Sequence, residues 1–431
     1  MENGANPGGA NHSGPSHSGP NHTVVIVGGG HAGGNAAALL RQYGYEGRIV
    51  LVSGEPVPPY HRPPLSKAYL KGEAALERLW LKPRAFYDEN RIELTLGVHA
   101  RSIDRAGKTL ALSDGSTLVY DALILATGST PRVLTIPGHD LDGVLTLRSL
   151  ADADLLRALA QPGAKLAVIG AGYIGLEAAA AARQLGHDVT VFEAAPRVLA
   201  RVAGEAVSAF YEREHRAQGI DLRTGAAVEA FVGNGGRLTG VKLAGGEIVP
   251  ADLALVGVGV VPAVSLAQQA GLACTDGIEV DDDARTADPA IFAIGDCAHR
   301  PLAHYGRAGR LESVHNAVEQ AKLAASAITG RPRPACDVPW FWSDQYDLKL
   351  QTVGLASGHD ETVVRGDPAA RRFAVYYLKD RALLAVDAVN AMPDFLCGKK
   401  LAGTGVKLDV DALRDPATDL GKFAAASLAG A

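Results

Sequence analysis

Two stretches of the chain repeat one pattern of apolar and polar positions. "TVVIVGGG" (23–30) is an apolar run that ends in glycines, "AGGNAAALLRQYG" follows with helical spacing, and "RIVLVSGE" (48–55) is apolar again. "KLAVIG" (165–170), "YIGLEAAAAARQLG" and "DVTVFEA" (188–194) have the same order. A buried run, a glycine turn, an amphipathic stretch and a second buried run are typical of a βαβ unit. The chain is therefore predicted to contain two such units.

Further apolar runs indicate how the chain divides into domains. "YDALILATGSTPR", "LALVGVGVVPA" and "PAIFAIGDCAHR" are predicted strands that run into turns, and the last resembles the first unit again. From residue 338 to 390, short alternating runs rich in aromatics and Val predict an antiparallel sheet. We predict an α/β fold with two Rossmann-like dinucleotide-binding domains and a C-terminal α+β domain. The expected boundaries are 23–134 with 258–330 for the first domain, 135–257 for the second and 331–431 for the third.

Composition then excludes several classes of function. The net charge of −5 leaves no global positive field that would hold nucleic acid or an anionic membrane. No apolar stretch is long enough to span a bilayer, and residues 1–22 lack the basic start and apolar core of a signal peptide. We expect a cytoplasmic protein whose residues 1–22 are a disordered tail. The Ala-rich stretch beyond about residue 415 is also expected to be poorly ordered.

Cysteine and histidine spacing gives no metal motif. The four cysteines include no CxxC pair, so we expect reduced, unpaired thiols and no zinc site. His12, His17 and His22 recur in the tail, where adventitious metal binding is the alternative to disorder without function. The cysteines are Cys274, Cys297, Cys336 and Cys397.

The glycine spacing in both units is that of a dinucleotide-binding turn. In GxGxxG the first glycine permits the tight turn, the second lets backbone approach a pyrophosphate, and the third lets helix pack on strand. The helix N-terminus then offers N–H groups and a partial positive charge to the phosphates. Two such motifs in βαβ frames predict two bound dinucleotides. Their glycines are Gly28, Gly30, Gly33, Gly170, Gly172 and Gly175.

The acidic residue that ends the second strand of such a unit is expected to bind a ribose hydroxyl. In the second unit this residue is Glu193, at the end of "VTVFE". A carboxylate there accepts a hydrogen bond from a 2′-OH and repels a 2′-phosphate, so we predict NADH rather than NADPH. The alternative is an exposed strand-end glutamate without a ligand. In the first unit Glu55 is the candidate, and Gly54 beside it leaves the register open by one position.

Longer motifs are more specific than the general fold. They are "LILATGSTPR" and "IFAIGDCA", which are fingerprints of flavoproteins with two dinucleotides, and "PPYHRPPLSKAYLKG", "RLESVHNAVEQAK" and "PWFWSDQYDLKLQTVG". With them, residues from about 23 to about 410 resemble the FAD-dependent NADH:ferredoxin reductases of bacterial oxygenase systems. The resemblance implies a glutathione-reductase-like fold. The first domain would bind FAD, the inserted second domain would bind NAD, and the C-terminal domain would close over the flavin.

The resemblance also implies individual cofactor contacts. Asp296 of the GD motif is expected to bind the ribityl chain or pyrophosphate of FAD, and the alternative is a cap of the next helix. Trp342 is expected near the isoalloxazine. Besides the two glycine motifs and the acids Glu55 and Glu193, the implied cofactor-binding residues are Ala32, Arg62, Lys67, Val98, Thr127, Gly128, Arg148, Arg201, Gly259, Asp296, Val314 and Trp342.

Three residues are expected to act in catalysis. By the resemblance, Lys67 of "PPLSK" would lie beneath the flavin and pair with Glu177 of "YIGLE". A buried ammonium needs a counter-charge and stabilises negative charge on a reduced flavin. The alternative is a surface lysine and an unrelated helix-face glutamate. Tyr173, at the turn between the two cofactors, resembles an aromatic gate that nicotinamide displaces, and core packing is the alternative.

The electrons then need an exit from the flavin. Disulfide reductases carry a CxxxxC after the second strand, but "PPYHRPPLSKAYL" has no cysteine. The resemblance implies that single electrons pass to an acidic two-iron two-sulfur ferredoxin, which a local basic patch would attract. We expect no nucleic acid or membrane partner, and a monomer or weak homodimer. The nominated docking residues are Arg307, Arg310, Lys399 and Lys400, although charged loop residues are usually just solvated.

Two other functions are the alternatives. In an NADH oxidase or quinone-type flavin reductase, reduced FAD would meet oxygen or a small acceptor directly. A redox-sensing flavoprotein similar to apoptosis-inducing factor has a similar domain plan. That function is expected to need a basic surface, and the net charge of −5 disfavours it.

Overall fold

The structure is a computed structural model that describes residues 21–430. Most of the predicted tail, including His12 and His17, lies outside the described residues. At the end of that tail, the carbonyl of His22 accepts a hydrogen bond from the Tyr45 hydroxyl at 2.9 Å, which fixes the chain to the first domain. Within the described part, no helix is long and apolar enough to cross a membrane.

The first domain is built on a five-stranded parallel sheet whose outer strand comes from the second segment predicted for it. Because helices and a small sheet cover its two faces, the central strands are almost entirely apolar, and Val24, Val25 and Ile26 have no exposed surface. Helices His31–Gln42 and Val314–Thr329 pack together on one face. In spatial order the strands are Ile291–Ala293, Ala122–Leu125, Thr23–Val27, Arg48–Ser53 and Ile92–Leu96.

Smaller elements complete the first domain. A three-stranded antiparallel sheet covers the second face of the parallel sheet, and its strands are Ala100–Asp104, Thr109–Leu112 and Thr117–Val119. A further sheet contains Cys274–Thr275, Gly277–Glu279, Ala298–Leu302 and Arg307–Gly309. The remaining short helices are Pro63–Ser66, Leu76–Leu79, Arg84–Glu89, Ser265–Gln269, Gly295–Cys297 and Ala303–Tyr305.

The second domain repeats the parallel sheet between two crossings of the chain. Ser129–Pro131, which leaves the first domain, pairs antiparallel with Val260–Pro262, which returns to it. The sheet between these crossings has the order Asp221–Thr224, Asp188–Glu193, Lys165–Ile169, Leu253–Val256 and Val144–Leu145. Its helices are Leu150–Leu159, Tyr173–Gln184 and Glu205–Ala217. An antiparallel sheet of Val228–Asn234, Arg237–Leu243 and Ile248–Pro250 lies beside it.

The C-terminal domain is a five-stranded antiparallel sheet covered by helices. The strand order is Trp340–Gln345, Leu348–Gly354, Ala382–Val389, Arg372–Lys379 and Glu361–Asp367. The helices are Met392–Leu401, Val410–Arg414 and Leu420–Ala429. The predicted fold class is therefore confirmed, and the strands of each sheet come from the segments that the predicted boundaries assign to it. The boundaries themselves stay a prediction.

The expectation of poor order beyond about residue 415 is wrong, because a buried arginine fixes this segment. Arg365, 8% exposed, donates to the carbonyl oxygens of Leu413, Pro416 and Thr418 at 3.2, 3.0 and 2.9 Å, and also to that of Asp415. The helix that follows packs Leu420 and Ala424 into the core of the domain. Alanine is the best helix former, so the composition that indicated disorder stabilises this helix once it is docked.

We expect Arg365→Ala to lower the free energy of unfolding by about 3–5 kcal/mol, because it leaves Asp394, 3.3 Å away, and several carbonyls buried without their partner. Urea denaturation followed by circular dichroism measures this change. The matched control is Arg414→Ala in the same domain, which removes an exposed pair with Glu361 at 3.8 Å and should change the value by less than about 1 kcal/mol. Equal effects of the two substitutions would contradict the role of Arg365.

Candidate functional site

In the first glycine turn, packing of the protein itself requires two of the three glycines. Gly28 has a φ of +121°, and a Cβ there would lie 2.1 Å from the Ala126 carbonyl oxygen. A Cβ at Gly33 would lie 1.9 Å from the Gly28 carbonyl oxygen. Gly30 differs, because its φ of −84° suits any residue and a Cβ would approach only Arg62, at 3.9 Å. The fold therefore leaves open space beside Gly30 and does not itself require a glycine there.

The second glycine turn shows the same division. Gly170 has a φ of +101°, and a Cβ there would lie 2.6 Å from the Gly257 carbonyl oxygen. A Cβ at Gly175 would lie 2.1 Å from the Gly170 carbonyl oxygen, whereas one at Gly172 would meet nothing within 4 Å. A bound dinucleotide needs open space at this position, because its pyrophosphate lies against the backbone of the turn.

The helices that follow the two turns lack side-chain caps. Among residues 21–430, no side chain caps the first N–H groups of His31–Gln42 or of Tyr173–Gln184. By contrast, Ser149 and Asp152 form a complete capping box on Leu150–Leu159. Free N–H groups and the helix dipole favour an anion at such an end. Both turns therefore fit a dinucleotide diphosphate.

A row of charged groups borders the first turn. Arg62 contacts Glu55 at 2.5 Å and donates to the Arg148 carbonyl oxygen at 2.7 Å. Arg148 contacts Asp296 at 3.0 Å, and the Ser129 hydroxyl donates to the same carboxylate oxygen at 3.0 Å. Four predicted cofactor-binding residues are thus brought together from sequence positions far apart.

Asp296 does not cap a helix in this structure. It lies in the short helix Gly295–Cys297, and the next long helix, Val314–Thr329, is capped by Ser313. The capping alternative therefore does not describe this residue. Its pairing with Arg148 leaves a role at the cofactor site as the remaining hypothesis.

Two histidines at this site were missed in the sequence. His31, the first residue of its helix, is 8% exposed, and its Nε2 lies 3.3 Å from Nδ1 of His61. Burial, and to a smaller extent the positive charges of His61, Arg62 and Arg148, together lower the pKa of His31 to about 3. His31 is therefore neutral in a cationic surrounding that suits phosphate. Its place directly after "GGG" was the available signal.

The packing around Gly54 bears on which residue of the first unit is the acidic one. A Cβ at Gly54 would lie 2.4 Å from the His99 ring, so a larger residue does not fit there without a shift of that ring. Glu55 is the carboxylate that this strand end presents, and it accepts from the Tyr60 hydroxyl at 2.6 Å. Glu55 therefore stays the candidate for the ribose contact.

Other predicted contacts of the first cofactor lie around the same turn. The Cβ of Ala32 is 2.9 Å from where a Cβ at Gly295 would be, so the glycine turn and the GD turn touch. A Cβ at Gly128 would lie 3.4 Å from Arg148. Thr127 donates to the Ala263 carbonyl oxygen at 2.7 Å, which ties one chain crossing to the other. Val98 and Val314 are half-buried; Val98 donates its N–H to Ser53, and Val314 begins its helix.

Lys67 and Glu177 meet where all three domains come together. Glu177, 4% exposed, accepts from Lys67 at 2.5 Å and from the Ser66 hydroxyl at 2.6 Å, both in the first domain. The Ser343 hydroxyl of the C-terminal domain donates to its other oxygen at 2.6 Å. The alternative of an unrelated surface lysine and glutamate therefore does not hold. Ser66 and Ser343 were not singled out in the sequence.

Aromatic side chains line the same junction. The Tyr173 and Phe341 rings are 4.5 Å apart, and Trp342 lies between Phe341 at 6.4 Å and Trp340 at 5.5 Å. Burial and then the charge of Asp387 raise the pKa of Tyr173 above its usual value, so its hydroxyl stays protonated. Tyr173 is thus half-buried against the C-terminal sheet, and a gating role stays a hypothesis.

On the side of the second turn, Glu193 is fixed by backbone donors. Its carboxylate oxygens accept from the N–H groups of Ala171, within the glycine turn, at 2.7 Å and of Ala195 at 2.8 Å. It is therefore more than an exposed strand end. Arg201 lies against Gly259, where a Cβ would be 3.2 Å from its guanidinium.

The nominated docking residues fall into two groups. The Arg310 side chain is only 10% exposed and contacts Glu312 at 2.5 Å and Asp276 at 3.4 Å, so its charge is already compensated. The structure therefore does not support Arg310 as a docking charge. Arg307 and Lys400 are exposed and form no ion pair within residues 21–430.

Lys399 is half-buried, unlike the exposed Arg307 and Lys400. Its ammonium lies 3.6 Å from Asp337 and 5.6 Å from the centroid of the Trp340 ring. The aromatic junction and the C-terminal helix Met392–Leu401 are therefore in contact through this lysine.

Comparison with known proteins identifies the family. The model of the pyridine nucleotide-disulphide oxidoreductases matches residues 22–321, and that of the reductase C-terminal domain matches residues 340–424. The chain belongs to the pyridine nucleotide-disulphide oxidoreductase family. The expected family resemblance, the fold and the FAD- and NADH-dependent oxidoreductase chemistry are thereby confirmed.

Several relatives of this family are similar over nearly the whole chain. The 5,5'-dehydrodivanillate O-demethylase ferredoxin reductase subunit of Sphingobium sp. (strain NBRC 103272 / SYK-6) is 48% identical, over 93% of this chain and 98% of its own. A rubredoxin-NAD(+) reductase of Pseudomonas putida is 44% identical, over 85% and 95%. The structure of the covalent putidaredoxin reductase–putidaredoxin complex matches with a TM-score of 0.93 at 41% identity, covering 95% of this chain and 100% of the matched one.

We expect Gly172→Ala to fold normally, keep its FAD and weaken NADH binding about 10-fold or more, which corresponds to about 1.4 kcal/mol. The new Cβ would fill only the open space at the second turn. The KM for NADH and the flavin absorbance per protein measure the two effects.

The matched variant Gly30→Ala is expected to show the reverse pattern, with FAD lost and NADH binding retained in a fluorescence titration. Wild-type affinities for both cofactors in both variants would contradict the assignment of the two turns.

Proposed function

We propose that this chain is an NADH:ferredoxin reductase that supplies single electrons to a two-iron two-sulfur ferredoxin of a cytochrome monooxygenase or Rieske oxygenase. The relatives named as ferredoxin reductases support this activity. The rubredoxin-NAD(+) reductase among them makes rubredoxin the second candidate acceptor. We expect the protein to act in the cytoplasm as a monomer or weak homodimer.

One observation of the structure supports this function over disulfide reduction. The segment "PPYHRPPLSKAYL" places the ammonium of Lys67 against the buried carboxylate of Glu177, and it contains no cysteine. The cysteines within residues 21–430 are all unpaired, and Cys297 and Cys397 are buried. Electrons therefore have no thiol at this junction to pass through.

The chain's own residues bind, orient and exclude water. FAD, when bound, accepts a hydride from NADH and releases the two electrons one at a time. The first turn, with Arg62 and Arg148 beside it, would hold the FAD diphosphate, and Asp296 would contact the ribityl chain or the pyrophosphate. The second turn and Glu193 would hold NADH. Lys67, fixed by Glu177, would supply a positive charge at the junction, and Tyr173 would shield it from water.

The activity itself is tested with purified protein under anaerobic conditions. NADH should bleach the flavin absorbance, and addition of an oxidised two-iron two-sulfur ferredoxin should restore it while the ferredoxin is reduced. Rubredoxin in the same assay tests the second candidate. Turnover that depends on oxygen or a quinone and is unaffected by ferredoxin would favour the oxidase alternative.

We expect kcat/KM for NADH to exceed that for NADPH by about 100-fold, because Glu193 would repel a 2′-phosphate. Glu193→Gln should narrow this ratio about 10-fold, since it removes the charge and keeps the size. The control Glu229→Gln, an exposed glutamate of the same domain that contacts Lys242 at 3.2 Å, should leave the ratio unchanged. Equal use of both coenzymes by the wild type would refute the role of Glu193.

We expect Lys400→Glu and Arg307→Glu each to lower kcat/KM for ferredoxin about 10-fold at low ionic strength, because an acidic partner loses electrostatic attraction. The effect should shrink as salt is added, and ferricyanide reduction should stay unchanged. Arg101→Glu, an exposed residue on the antiparallel sheet of the first domain, is the control. Equal losses with both acceptors would exclude these residues from the docking surface.

A further inference from the structure

A row of buried polar side chains leads away from Glu177. The Ser343 hydroxyl is 2.6 Å from Glu177, and the Gln345 amide nitrogen is 3.1 Å from the Ser343 oxygen. Nε2 of His215 lies 2.7 Å from the Gln345 carbonyl oxygen, and the Tyr346 hydroxyl lies 3.4 Å from His215 Nδ1. We call Ser343, Gln345 and His215 the polar row; each is at most 1% exposed.

The hydrogen bonds of the polar row all run in the same direction. A carboxylate only accepts, so the Ser343 hydroxyl donates to Glu177 and its oxygen accepts from the Gln345 amide. The Gln345 carbonyl then accepts from His215 Nε2–H, which leaves Nδ1 to accept from the Tyr346 hydroxyl. Burial lowers the pKa of His215 to about 4, in agreement with this neutral ring. Every donor therefore points towards Glu177.

Aligned hydrogen bonds polarise one another, and donation to a carboxylate favours its ionised form. The titratable groups that face Glu177 are Lys67 of the first domain, Tyr173 on its own helix and Tyr211 on Glu205–Ala217. Of these, Lys67 is the cation. The Glu177 carboxylate is the group that holds that cation in place.

We propose that Ser343, Gln345 and His215 are positioning residues that fix the Glu177 carboxylate and so hold the Lys67 ammonium at the flavin site. The proposal deepens the proposed function, on which it rests for the role of Lys67. The polar row connects the C-terminal strand Trp340–Gln345 with a helix of the second domain. His215 acts without contact with Glu177 or Lys67.

The test uses the holoenzyme and the pH dependence of flavin reduction by NADH in an anaerobic stopped-flow instrument. Ser343→Ala should move the acid limb of this profile upward by about one pH unit, because the Glu177 carboxylate loses one of its hydrogen-bond donors and holds the Lys67 ammonium less firmly. His215→Phe and Gln345→Met should move it in the same direction by a smaller amount. If His215→Phe does not fold, Gln345→Met still tests the row beyond Ser343.

The matched control is Tyr87→Phe. Tyr87 is fully buried in the core of the first domain, and its hydroxyl has no hydrogen-bond partner among residues 21–430. Its profile should equal that of the wild type. A readout apart from activity is the absorption spectrum of the bound flavin as a function of pH, whose transition should shift by the same amounts in the same variants.

The outcomes separate this proposal from the proposed function. If Ser343→Ala shifts both readouts while His215→Phe and Gln345→Met match Tyr87→Phe, Ser343 is a local contact and the polar row transmits nothing, which overturns the proposal. If no variant shifts either readout, the proposal is also overturned. If NADH fails to reduce the flavin of the wild type, the proposed function fails instead.

Discussion

The need to satisfy one buried carboxylate links the three domains of this protein. Glu177 is nearly inaccessible to water, and its donors come from Ser66 and Lys67 in the first domain and from Ser343 in the third. Removing one donor would leave a buried charge incompletely paired, which is among the more destabilising changes a protein can undergo. The arrangement of domains around this point is therefore specified by polar contacts as well as by apolar packing.

The two glycine turns show how a fold and a ligand place separate demands on one motif. At each turn the first and third glycines avoid backbone collisions that would occur in any state of the protein. The middle glycines, Gly30 and Gly172, avoid no such collision, and their side of the turn is open. Packing of the protein requires the first and third glycines, and space for a ligand requires the middle one. Because these requirements fall on different positions, the site for a ligand can be recognised from the protein alone.

Several features of the site were predictable from the sequence, and others were not. The pairing of Lys67 with Glu177 was predicted through family resemblance, and the structure brings the two together. Exposure was not predictable, so Arg310 was nominated for docking although two carboxylates compensate its charge. Likewise, the alanine-rich end was expected to be poorly ordered because the buried Arg365 that fixes it lies about fifty residues earlier.

The sequence by itself determined the two dinucleotide units, the division into three domains and the absence of a cysteine pair in "PPYHRPPLSKAYL". These features depend on apolar periodicity and residue spacing over short stretches, which are visible in one dimension. Only the tertiary structure decided which donors reach Glu177, which histidines border the first turn and which basic residues keep a free charge. Those facts depend on distances between residues far apart in the chain, and packing alone sets such distances.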